Sequence, residues 1–217
     1  MSADLMALLM KALGETLRMV AVSMIAATLL GIPLGVLLLT TAKHQILECL
    51  PLNRVLAAVI NAVRSVPFII LMVAIIPFTR LVAGTSIGTT AAMVPLTIAA
   101  IPFIGRQVET SLREVPYGIV EAALAMGASP LQIIRHVYLP EAMPGIVAQL
   151  TTVVIALVGA SAMAGAIGGG GLGDLAIRFG YQRFRPEVML ATIVVLVVLV
   201  QLIQFGGNWL ARRLNKK

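Results

Sequence analysis

The chain is short of charge, of cysteine and of aromatic side chains. Only 12% of its 217 residues are Asp, Glu, Lys or Arg, about half the share of a soluble domain. With 59% hydrophobic residues, it carries more apolar side chain than a water-facing surface can hide, which excludes a soluble globular enzyme. The single cysteine, Cys49, excludes an intrachain disulfide, and no Cys or His cluster offers the spacing of a metal site. No G-x-x-x-x-G-K-[S/T] occurs, so the chain does not bind ATP by a P-loop and no cofactor is expected in it. Internal repeats, low-complexity segments and linkers are also missing. A net charge of +7 would suit nucleic acid, but aromatics make up only 5% and the cations scatter between apolar runs. Loops that face anionic lipid account for the charge better, and no nucleic-acid partner is expected.

What is present is a series of long apolar runs. A hydrocarbon core of about 30 Å needs roughly 20 apolar residues per helix. Five runs qualify, at about 19–42, 55–79, 81–105, 146–167 and 188–207. The expected fold is all-α: a polytopic membrane protein in which residues 1–217 form one transmembrane domain. No cleavable signal is expected, because Asp4 comes early and Lys11 and Arg18 interrupt the first apolar run.

Details within the runs refine this picture. Gly31-Ile32-Pro33-Leu34-Gly35 reads as a packing kink in the first span rather than a substrate contact. Arg64 interrupts the second span. An arginine at mid-bilayer costs about 2.5–3.5 kcal/mol on insertion scales, so Arg64 is expected near the cytoplasmic end, snorkelling to headgroups or held in an ion pair. Thr85 to Gly88 reads as the outer rim of the third span. Gly168, Gly170 and Gly173 match G-x-G-x-x-G by count, but no strand precedes them, which excludes the dinucleotide reading. Leu172 to Arg185 is expected to form a short surface helix. Trp209, Arg212, Arg213, Lys216 and Lys217 anchor the last span at an interface. The cores of spans one, three, four and five hold no ionisable residue. An ion-coupled transporter would usually bury such groups there, so the energy source is expected outside the chain.

Five spans place the termini on opposite sides. With the N-terminus outside, ten cations lie inside (Lys43, Arg54, Arg64, Arg106, Arg113, Arg135, Arg212, Arg213, Lys216, Lys217) and six outside (Lys11, Arg18, Arg80, Arg178, Arg183, Arg185). That bias favours N-out, C-in, and puts the long polar segment 116–144 in the cytoplasm.

Within that segment, Glu121 to Pro140 reads as two short helices at an angle. The first runs from about Pro116 to Met126 and ends at Gly127. The second opens at Ser129 as N-cap, with Pro130 at the first helical position and Gln132 completing a capping box. Pro140 is expected to stop it near Leu139. A helix of about two and a half turns is unstable alone in water. Leu131, Ile134 and Tyr138 share one face, as if to dock into a groove.

The same residues carry a resemblance. Glu121-Ala122-Ala123, Gly127, Val137 and Leu139-Pro140 resemble the EAA loop of ABC importer membrane subunits, with Val137 where that family usually has Ile. Asn61 to Leu71, Pro77 to Arg80, Gly84 to Gly88 and Gly168 to Gly173 resemble the membrane subunit of the bacterial methionine importer. The resemblance implies a homodimeric permease in the bacterial inner membrane. It also implies two copies of a cytoplasmic ATPase that bind ATP and Mg, and an external substrate-binding protein. Segment 116–144 would then be the cytoplasmic coupling helix, with Glu121, Ala122, Ala123, Gly127, Ser129, Leu131, Ile134, Val137, Tyr138, Leu139 and Pro140 meeting the ATPase. The family substrate is methionine. The small-residue run Gly159 to Ala166 would lie along the dimer axis, with Ser161, Met163 and Gly165 on the substrate path. A permease for another small solute and a membrane scaffold without a substrate path are the competing readings. Binding of an ATPase separates the scaffold from the permeases.

Overall fold

The structure, a computed structural model, describes residues 3–215; Lys216, Lys217 and the side chain of Asp4 lie outside it. All its regular elements are helical. In chain order they are α1 (Ala3–Thr40), α2 (Leu50–Ser65), α3 (Phe68–Ala74), α4 (Ile76–Ala83), α5 (Thr89–Arg113), α6 (Tyr117–Ala125) and α7 (Pro130–Ile133). A π-helical turn (Ile134–Tyr138), α8 (Leu139–Ala166), α9 (Gly171–Leu175), a second π-helical turn (Ala176–Tyr181) and α10 (Pro186–Leu214) complete the chain. Among the described residues, four helices are long and apolar enough to cross a bilayer: Leu5–Thr40, Thr89–Arg113, Pro130–Ala166 and Pro186–Leu214. The pair α2 and α3 qualifies only if taken together as one broken span.

Three expectations about helix limits are corrected. α1 begins at Ala3, well before the apolar run, despite Lys11, Glu15 and Arg18. Its early turns are helical because they pack: Leu5, Leu9 and Ala12 bury one stripe against Leu172, Leu175 and Val188. The helix expected over 55–79 is not continuous. It stops at Ser65 and restarts at Phe68, because Pro67 restrains Val66 before it and has no N–H to give. The run 81–105 is likewise divided: Gly84 adopts a left-handed conformation at the end of α4, and α5 starts only at Thr89.

The contacts group the chain into two units. The first holds residues 1–27, 66–100 and 154–204. Here the Glu15 carboxylate accepts from the Gly171 N–H at 2.8 Å, and the Thr16 hydroxyl accepts from the Leu172 N–H at 2.9 Å. Only part of segment 172–185 lies at the surface: Leu172 and Leu175 are buried against the first turns of α1, Gly180 lies against Met189, and Tyr181 to Arg185 are exposed.

The second unit holds residues 28–65, 101–153 and 205–217. Its seam is Gly31 and Gly35 of α1 against Ile104, Gly105 and Val108 of α5. A Cβ at Gly35 would fall 2.6 Å from the Gly105 carbonyl oxygen, and one at Gly31 would fall 2.6 Å from the Ile104 side chain. Small residues four apart let two helix backbones meet closely, which is the packing role expected of this stretch. Below the seam, the Asn53 amide donates to the Leu38 carbonyl at 2.7 Å and to the Thr41 hydroxyl at 3.0 Å, tying the start of α2 to the end of α1.

Candidate functional site

The polar segment between α5 and α8 is built by local rules up to Ser129. α6 ends in a paired backbone motif: the Gly127 N–H bonds the Leu124 carbonyl at 2.9 Å, and the Ala128 N–H bonds the Ala123 carbonyl at 3.1 Å. Gly127 has φ +78, the left-handed conformation that closes such a C-terminus and that glycine takes without a Cβ penalty. α7 starts two residues later. The Ser129 N–H donates to the Gln132 side-chain oxygen at 2.7 Å, and the Gln132 N–H returns to the Ser129 hydroxyl at 3.4 Å. This is the reciprocal capping box expected from the sequence.

Pro140 does not end the second helix. The Leu139 N–H bonds the Ile134 carbonyl five residues back, so the chain widens into a π-helical turn and enters α8 without a stop. The wider turn draws the carbonyls away from the proline ring, whose clash with the preceding turn is what normally breaks a helix.

Burial divides the candidate residues. Ala123, Ile133 and Tyr138 face the chain's own interior. Tyr138 is only 3% exposed, and its hydroxyl donates to the Gln45 side chain at 2.7 Å. Tyr138 therefore does not share an outward face with Leu131; it holds the segment from behind, with Val137 and Leu139 half-buried beside it. Ile134 is also half-buried. Facing out are Glu121, Ala122, Gly127, Ser129, Leu131 and Pro140. Leu131 is 72% exposed and Met126, which sequence reasoning passed over, is 81% exposed. Two large apolar side chains are thus held open on either side of the Gly127 turn. Glu121 belongs to none of the ion pairs among the described residues.

A second missed feature lies just before this segment. Glu109 is buried, with Arg106 at 2.6 Å and Arg113 at 2.7 Å. The R-x-x-E-x-x-x-R spacing puts all three on one face of α5. The trio fixes the turn from which α6 departs.

On α8, the small-residue run splits in the same way. Ser161 is buried and donates to the Val158 carbonyl at 2.7 Å. Gly165 is buried against the backbone of Gly170, Gly173 and Asp174. Met163 faces outward at 50% exposure, in line with Ala156, Gly159 and Ala166.

Residues 31–216 match the family of binding-protein-dependent transport system inner membrane components. The chain belongs to that family. It is an inner-membrane component with several apolar helices. A Vibrio cholerae protein named probable D-methionine transport system permease protein MetI is 58% identical over 97% of this chain and 93% of its own length. The D-methionine transport system permease protein MetI of Escherichia coli K12 is 52% identical over 76% of each chain. A solved structure described as inward-facing conformations of the MetNI methionine ABC transporter is similar over 100% of both chains, with 50% identity and a TM-score of 0.98. A structure described as an amino acid ABC transporter with histidines shares the fold at a TM-score of 0.79 and 20% identity.

Proposed function

We propose that this chain is the membrane-spanning permease of an ATP-driven importer for methionine, taking the D-enantiomer and close analogues as well. It works as a homodimer with two copies of a cytoplasmic ATPase and an external binding protein. ATP and Mg are bound by the ATPase, not by this chain. The N-terminus lies outside and the C-terminus in the cytoplasm.

The observation that carries this reading is the outward pair Met126 and Leu131, held on either side of the Gly127 turn and the Ser129 cap. A surface of this kind needs a partner groove, and the identity to the methionine permeases supports an ATPase as its owner. ATP binding closes the ATPase pair and draws the two docked segments together. Because α7, the π-helical turn and α8 are one unbroken helical run, the displacement passes into the membrane and opens the permease outward. Met163, facing out among small residues, narrows the shared path, while Ser161 and Gly165 fix the helix behind it.

Co-expression with the ATPase, purification and reconstitution test the reading. The complex, supplied with its binding protein, should import labelled L- and D-methionine only when ATP is present. Import of a different solute would correct the substrate. Failure to recover the ATPase with the permease would leave the scaffold reading.

A further inference from the structure

Arg64 is the one cation within the five candidate spans 19–42, 55–79, 81–105, 146–167 and 188–207. Its position along α2 is now fixed. Arg54 and Arg64 lie on the same helix, ten residues and therefore about 15 Å apart along its axis. Together α2 and α3 are apolar enough to form one broken span, and Arg64 lies inside it, in the last turn of α2. It is exposed, as is Asn61 one turn earlier on the same face. The Ser65 hydroxyl is already used by the Asn61 carbonyl at 2.8 Å. The guanidinium lies 5.5 Å from the centroid of the Phe103 ring, a cation–π distance. Among the described residues no carboxylate pairs with it. The helix breaks immediately afterwards, at 66–67. Non-helical backbone at membrane depth persists where it lines a cavity or is buried in protein, and broken helices mark binding points in transporters.

An arginine within a membrane span pairs with another group or lines a water-filled path, and this chain gives it only a π face. We infer that Arg64, with the Asn61 amide beside it, is the point in the membrane path that takes the α-carboxylate of the amino-acid substrate. Phe103 positions the guanidinium for it. A planar fork suits a carboxylate, which accepts two parallel N–H bonds. This inference rests on the amino-acid permease reading above.

The test uses the reconstituted complex of permease, ATPase and binding protein, with labelled methionine. Arg64→Gln should lower import about tenfold or more, the factor carried by a lost charge-assisted hydrogen bond. ATPase stimulation by the loaded binding protein should stay near wild type, because docking and coupling are untouched. Arg64→Lys should regain part of the import by restoring charge without the fork, and Phe103→Leu should raise the KM for import. Wild-type import by Arg64→Gln would overturn the inference. So would poor recovery of the assembled complex for that variant, which would give the counter-ion to a second copy of the chain. A wild-type complex that imports no amino acid would remove the permease reading itself, and the carboxylate assignment with it.

Discussion

Tyr138 and Gln45 are joined by a hydrogen bond of 2.7 Å across 93 positions of chain. The bond ties the π-helical turn to the loop between α1 and α2. It fixes a short helix that could not stand alone. Tyr138→Phe should cost about 0.5–1.5 kcal/mol, read as a lower thermal unfolding midpoint of the purified complex. Adding Gln45→Leu should cost less than the two single changes summed, since the pair is coupled. Additive costs would show that the bond holds nothing.

Gly127→Val should leave the protein inserted in the membrane, because the residue lies outside the apolar runs, yet sharply reduce co-purification of the ATPase and uptake. A β-branched residue at φ +78 is strained by at least 1–2 kcal/mol, enough to reshape the turn between Met126 and Leu131. Glu121→Ala should act in the same direction but more weakly, by removing one exposed charge. Normal ATPase recovery and full uptake for Gly127→Val would withdraw the coupling role from this segment.

The helix seam makes a prediction of opposite sign at two glycines of α1. Gly35→Ala puts a Cβ 2.6 Å from the Gly105 carbonyl, so the backbones must part, at about 1–3 kcal/mol. Gly14→Ala meets nothing within 4 Å and should stabilise by about 0.5–1 kcal/mol, the helix preference of alanine over glycine. Thermal unfolding of the two variants side by side checks both signs.

Met163→Ala should assemble normally, since the side chain faces out of the chain, and should change uptake or the ATP used per substrate. Unchanged uptake together with unchanged basal ATPase activity would assign the residue to packing alone.

Cys49 is an exposed free thiol in the loop that the N-out orientation places in the cytoplasm. An impermeant maleimide should miss it in intact cells with a permeabilised outer membrane, and should label it in inside-out vesicles. Labelling in intact cells would reverse the orientation.

The features legible in the sequence were those set by neighbours a few residues apart. Gly127 as a C-terminal stop, Ser129 with Gln132 as a capping box, and Gly31 with Gly35 as a packing face all follow from residue type and spacing. Features decided by distant parts of the chain were not. Tyr138 looked like part of a docking face because its partner, Gln45, lies far away in sequence. The first apolar run did not show that α1 extends back to Ala3, because Leu172, Leu175 and Val188 supply the contacts that hold its early turns. Pro140 looked like a helix stop because the one-residue widening that accommodates it leaves no mark in composition.

The bonds from Gly171 and Leu172 to Glu15 and Thr16 span 156 residues, and that separation has a consequence in time. At 5–20 residues per second, the donors leave the ribosome roughly 8–30 s after their acceptors. During that interval the first helix carries a carboxylate and an apolar stripe whose partners do not yet exist. The amino-terminal turns thus wait for the glycine run near the end of the chain, and the first unit cannot close before synthesis has passed Leu172. A chain interrupted before Gly171 would expose Leu5, Leu9 and Ala12, a ready mark of incompleteness for membrane quality control.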